Sequence, residues 1–131
     1  MILVDTSVFV AWMDTSHPKH VECSKALRLW AGRDQLAVSS VTYAELAAGA
    51  RSQEGVDEDL KPFERINLNF EAAWRAGQRF RQCRPAKDDT PVLPDFFIRA
   101  QAAVLNIQHL TNDRRRIAVW PDVDFIFPQG A

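Results

Sequence analysis

With 131 residues the chain has the commonest size of a single domain, and one unit over 1–131 is expected. Its 47% hydrophobic and 25% charged residues exclude a disordered chain, and four Trp and eight Phe can fill a core. A net charge of −1 excludes a uniformly basic nucleic-acid binder but leaves room for local basic patches.

Ile2, Leu3 and Val4 form an apolar run that stops at Asp5-Thr6-Ser7. That pattern predicts a buried strand feeding a turn. A helix over 8–13 follows, with Thr6 or Ser7 as its cap. A second helix is predicted from Ser16 to Trp30, with Val21, Ala26, Leu27 and Trp30 on one face and Gly32 as its C-terminal cap. Residues 36–38 predict a strand, 41–50 a helix and 52–59, polar and acidic, a loop. Ile66 and Leu68 suggest a third strand, and Asn69 caps a helix running to about Cys83. Residues 84–94, with the Lys87-Asp88-Asp89 cluster, read as a loop. Pro94-Asp95 opens a helix to about Leu105. Residues 107–110 form a strand that ends at Thr111-Asn112-Asp113, and 119–120 with 125–127 add edge strand. Strands alternating with helices predict an α/β fold: a mostly parallel central sheet flanked by helices.

Several residues carry no chemistry in this reading. Cys23 and Cys83 are too few and too far apart for a zinc site or disulfide framework, and read as reduced core thiols. His17, His20 and His109 lack metal-ligand spacing, and the first two sit exposed near a helix start. Trp74 and Phe80 are assigned to the core. The N-terminus lacks the charged segment and long apolar run of a signal peptide, and no stretch approaches the ~20 apolar residues of a membrane span. The cytoplasm is the expected compartment.

Four carboxylates fall at telling places. Asp5 and Asp113 each follow a strand directly, Glu45 lies one turn into a helix that follows a strand, and Asp95 opens a helix. Ligands of open parallel sheets bind outside the carboxyl ends of the strands, so all four can face one crevice. Converging carboxylates repel, and a hard divalent cation relieves that conflict. Each acid also has a plainer reading. Asp5 can cap a helix, and Thr42-x-x-Glu45 fits a capping box. Asp95 can cap its helix or pair with Arg99, and Asp113 can shape a turn. Of the four, Asp5 is hardest to explain this way, because a charge after a buried strand is costly to leave unpaired.

Leu3-Val4-Asp5-Thr6-Ser7 resembles the opening of PIN-domain nucleases. Ser40-Val41-Thr42-Tyr43-Ala44-Glu45-Leu46 is similar to the family's second motif, Leu93 to Ala102 with Asp95 to the third, and Leu110-Thr111-Asn112-Asp113 to the fourth. Order, spacing and length all agree, so the resemblance covers essentially the whole chain. Within that family the layout is most similar to VapC-type toxins of type II toxin–antitoxin modules. The resemblance implies a three-layer α/β/α fold and an endoribonuclease dependent on Mg²⁺ or Mn²⁺. It also implies a tRNA or rRNA substrate, a VapB-type antitoxin partner and a homodimer. Asp5, Glu45, Asp95 and Asp113 correspond to the four acidic metal-binding positions, and Thr6 or Ser7 to a hydroxyl near the metal. One departure stands out. Many relatives carry a further Asp two or three residues past the fourth acid, where this chain has Arg115 and Arg116. The run Arg114-Arg115-Arg116 either contacts phosphate or forms a solvated turn.

Two other families are poor fits. A haloacid-dehalogenase-type phosphatase needs an Asp where Ser7 stands, and a receiver-like domain needs a late Lys, whereas the last Lys is Lys87. A PIN-like module that binds RNA or protein without cutting is the remaining alternative. Removing one carboxylate, as in Asp5→Asn, is expected to abolish cleavage while relieving repulsion in the metal-free protein.

Overall fold

The computed structural model describes residues 1–83 and 91–128. Among these, five strands and six α-helices alternate: β1 (Ile2–Val4), α1 (Thr6–Met13), α2 (His20–Ala31), β2 (Leu36–Ser39), α3 (Ser40–Gly49), α4 (Gln53–Asp59), β3 (Glu64–Ile66), α5 (Phe70–Gln82), α6 (Leu93–Leu105), β4 (Gln108–Leu110) and β5 (Phe125–Ile126). The strands form one sheet in the order β3-β2-β1-β4-β5, and every neighbouring pair is parallel. The expected architecture is present, three layers with a parallel sheet in the middle.

Alternation along β1 builds the two outer layers. Ile2 and Val4 face one side, where Val8, Phe9, Ala11, Cys23, Ala26, Leu27, Val56 and Leu60 from α1, α2 and the α4 segment pack. Leu3 faces the other, with Ala72, Ala76, Phe96, Ile98, Ala100 and Trp120 around α5 and α6. Central β1 is buried on both faces, as a strand covered by helices on each side must be. Helix α3 touches both layers, through Tyr43 and Leu46 on one side and Val41 on the other.

Several local expectations need correction. Asp5 itself caps α1 by accepting from the Ser7 N–H, so the helix starts at Thr6. Helix α2 starts at His20 rather than Ser16, because Asp14 binds both the N–H and the hydroxyl of Ser16 in a turn before Pro18. Val21 is then exposed, while Cys23, Ala26 and Leu27 carry the buried face. Residues 53–59 are helical, not a loop: Ser52 caps α4, and Val56 with Leu60, one turn apart, anchor it to the core. The third strand is Glu64–Ile66, ending before Leu68. Trp74 is 71% exposed, whereas Phe80 packs edge-on against Phe96 at 5.3 Å. Asn69 does cap α5, through its side chain to the Ala72 N–H. Val119 belongs to a short 3-10 turn (Ile117–Val119) instead of edge strand. In the expected loop over 84–94, residues 84–90 lie outside the described residues, and α6 starts at Leu93. Cys23 and Cys83 are both free, the first buried and the second half-buried.

Candidate active site

The carboxyl ends of β1, β2 and β4 open into a cleft of about 450 Å³, lined among others by Asp5, Thr6, Ser7, Glu45, Asp95, Asp113 and Arg115. All four acids singled out from the sequence therefore border one space. Asp5 follows β1, Glu45 projects from the second turn of α3, Asp95 is the third residue of α6 and Asp113 follows β4.

Asp5 is nearly buried, at 9% exposure. Oδ2 accepts from the Ser7 N–H at 3.0 Å, and Oδ1 lies 3.5 Å from His109 Nε2. Burial pushes this carboxyl up, but His109 and the Ser7 N–H outweigh it and hold the pKa at about 2. His109 is fully buried, and its Nδ1 lies 3.0 Å from the Leu3 carbonyl, which can only accept, so Nδ1 carries a proton. Nε2 has no hydrogen-bond partner and lies 3.5 Å from Asp5 Oδ1, a close polar contact and not a hydrogen bond. The helix-cap reading of Asp5 is thus correct and incomplete. Its charge is also favourable in the metal-free protein, which reverses the expected relief in Asp5→Asn.

Glu45 does not close a capping box. Its Oε1 accepts from the Thr6 hydroxyl at 2.8 Å, and that hydroxyl sits 2.9 Å from Thr42 Oγ1, while the α3 cap is Ser39. Ser7 serves a different purpose from Thr6. Its hydroxyl accepts from the Asn112 N–H at 3.1 Å, stitching the start of α1 to the segment after β4.

Asp95 neither caps α6, whose N-cap is Val92, nor pairs with Arg99 among the described residues. Burial, then the charges of Asp5, Asp113 and Glu45, raise its pKa to about 6, with Arg99 opposing them weakly. The repulsion expected of converging carboxylates is therefore concentrated on Asp95. Asp113 behaves oppositely. Burial pushes it up, but hydrogen bonds from Arg115 prevail and lower its pKa. The turn reading of Asp113 also holds, because Oδ1 accepts the Arg115 N–H at 2.9 Å.

The three arginines of the run separate. Arg115 reaches the cleft and grips Asp113, with Nε on Oδ1 at 2.9 Å and Nη2 on Oδ2 at 3.0 Å. Arg114 lies over the Phe127 ring, 3.8 Å from its centroid. Arg116 adopts a left-handed conformation, φ 58°, ahead of the 3-10 turn. Sequence reasoning missed five residues here, the first of them His17, which is half-buried and lines the cleft instead of standing exposed. Lys19 and Asn112 line the cleft, His109 lies beneath Asp5, and buried Arg99 donates to the carbonyls of Arg115 at 2.7 Å and Asp113 at 2.9 Å. A buried Arg on a helix face otherwise rich in Ala was the one visible signal, and it pointed at Asp95.

Four carboxylates bordering one cleft suit a hard divalent cation. Among the described residues no three acidic, His or Cys side chains are already gathered into a metal-binding group. Mutual repulsion, the Thr6 bond to Glu45 and the Arg115 grip on Asp113 account for that spread.

Known structures share the architecture. VapBC2 from Rickettsia felis, bound to a DNA fragment from its promoter, gives a TM-score of 0.73 at 22% identity, covering 97% of this chain and 98% of that one. A toxin–antitoxin complex from Klebsiella pneumoniae gives 0.76 at 23%, covering 98% of each chain. VapC20 from Mycobacterium tuberculosis, a toxin that cleaves the sarcin–ricin loop, gives 0.67 at 16%, covering 95% of this chain and 99% of that one. At these identities the likeness speaks for the fold. No curated protein gave a significant sequence match. The PIN domain family model matches residues 2–124, nearly the whole length, and the chain belongs to the PIN domain family.

Proposed function

We propose that this protein is a divalent-metal-dependent endoribonuclease acting as the toxin of a toxin–antitoxin pair. One observation carries the reading: acids from four separate segments border one cleft, where burial, and then the charges of the other three, raise the pKa of Asp95 to about 6. Asp5, Glu45, Asp95 and Asp113 would hold Mg²⁺ or Mn²⁺. When bound, such an ion supplies Lewis-acid charge to a phosphodiester and makes water a better nucleophile. The chain does the rest. The Ser7 N–H and His109 keep Asp5 ionised and fixed, Thr6 orients Glu45, and Ser7 joins the β1 and β4 ends so that Asp5 and Asp113 keep their spacing. Lys19 and Arg115 at the cleft offer cations to RNA phosphates.

A second cleft of about 410 Å³ lies between α1, α3 and α4, lined by Val10, Met13, Leu46 and Val56, and it shares Val10 and Glu45 with the first. An antitoxin segment laid there can place a basic side chain among the carboxylates, and the toxin–antitoxin complexes of the same fold fit this assignment. Exposed Phe70 and Trp74, one turn apart on α5, are the apolar surface for the expected homodimer. No helix among the described residues is long and apolar enough to cross a membrane. A toxin acting on cellular tRNA or rRNA would work in the cytoplasm, which is the compartment this reading assigns.

Cleavage of tRNA and rRNA with and without EDTA tests the proposal. Cleavage should vanish on chelation and return with Mg²⁺ or Mn²⁺. Undiminished cleavage in EDTA overturns the metal mechanism, and RNA binding without cleavage in any metal favours the binding module. A cognate antitoxin should bind tightly and suppress the activity.

A further inference from the structure

We propose that the cleft takes a single divalent cation, and that Arg115, seated on Asp113, supplies the positive charge a second ion would bring to that side. This rests on the metal reading above and adds the number of ions and their place.

A carboxylate has about four acceptor positions. On Asp113 three are filled by one residue: Oδ1 accepts both the N–H and Nε of Arg115 at 2.9 Å, and Oδ2 accepts Nη2 at 3.0 Å. Arg99 Nη2 stands 4.0 Å from the same Oδ2. Two guanidinium groups thus surround one carboxylate, which keeps one acceptor position. The opposite side of the cleft differs. Glu45 accepts from a neutral hydroxyl, and the side chain of Asp95 has no hydrogen bond or ion pair among the described residues. Beneath them the fully buried His109 turns an unpartnered Nε2 toward Asp5. Asp95 is therefore the acid of the cleft whose charge no side chain offsets by a hydrogen bond or ion pair among the described residues, and an ion gains most beside it.

The Arg115 position is built into the fold. Arg99, 5% exposed, bonds the carbonyls on either side of Arg114 and so fixes the turn from below. The Thr111 hydroxyl accepts from the Asp113 N–H at 3.0 Å and fixes its start. The Arg115 side chain is 55% exposed, so it holds Asp113 at the rim of the cleft and not in the core.

Mn²⁺ titration calorimetry on the full chain, checked by Mn²⁺ electron paramagnetic resonance, decides the matter without an activity readout. Wild type should bind one ion per chain. Arg115→Ala, with Arg115→Gln as a second variant and circular dichroism to verify folding, should bind two, and adding Asp113→Asn should return the count to one. Two ions in wild type, or one ion in a folded Arg115 variant, overturns the proposal while leaving the nuclease reading intact. No ion in wild type overturns the metal reading itself, and this inference with it.

Discussion

Asp95→Asn is the sharpest probe of the cleft, because metal-free stability and activity should move in opposite directions. Burial and three neighbouring carboxylates raise the Asp95 pKa from 3.8 to about 6. A group that holds its proton more tightly when folded opposes folding once both states are ionised. The cost is therefore absent below pH 3.8, grows between 3.8 and about 6, and is complete above that. At about 1.4 kcal/mol per tenfold change in proton affinity, the full difference is about 3 kcal/mol. Asp95 is only half-buried, and solvent screening reduces this to about 1–2 kcal/mol. For a chain of this size that is a melting temperature higher by about 3–8 °C in the Asn variant. Scanning calorimetry in EDTA at pH 8 should show the gap, and the same scan at pH 4 should show it nearly closed. With excess Mn²⁺ at pH 8 the order should reverse, because wild type gains the binding energy of the ion and the variant loses a ligand. A variant no more stable than wild type at pH 8, or a gap independent of pH, refutes the account of Asp95.

Three further outcomes follow from the same geometry. Asp5→Asn should abolish cleavage and also lower metal-free stability by about 2 kcal/mol at pH 7, since the carboxylate held at about 2 stabilises the fold. That deficit should fade as the pH falls from about 4 through 2, where the native carboxylate is protonated too, and denaturant titrations across this range measure it. Arg99→Met should cost about 2–4 kcal/mol by orphaning the Asp113 and Arg115 carbonyls and burying no replacement donor, and urea unfolding beside kinetics should show kcat falling more than KM rises. The triple change of Arg114, Arg115 and Arg116 to Ala should weaken RNA binding at fixed Mg²⁺. It should also flatten the salt dependence by about 0.7 in slope for each phosphate no longer neutralised, whereas equal slopes in wild type and variant would mark a solvated turn.

Sequence reading located the acids because their signals are local. Ile2 to Val4 are apolar and Asp5 is not; Leu110 is apolar and Asp113 comes three residues later. In a parallel sheet such breaks must fall at one edge, so convergence follows from topology. The same locality explains the misses. Helix α4 shows only two inward apolar residues beneath an acidic surface, and its cap, Ser52, looks like any loop serine. Trp74 looks like core until the packing of α5 on α6 sends Ala72 and Ala76 inward and leaves Trp74 outside. No local rule joins His109 to Asp5 across more than a hundred residues, or places Arg99 under a turn fourteen residues away.

Arg115 shows why the distinction matters for function. In the sequence it is one of two arginines at positions where the resemblance leads one to expect an acid in many relatives, which leaves open decay, RNA binding or a solvated turn. In the structure its guanidinium is already committed to both oxygens of Asp113, and that turn is held from the core by Arg99. A decayed site gives no reason for a second, buried arginine to support the first. A charge kept at the cleft does: on the proposed reading RNA would bring its phosphates to a negative pocket, and a fixed guanidinium would offset that repulsion at every step of approach, whether or not an ion had yet bound.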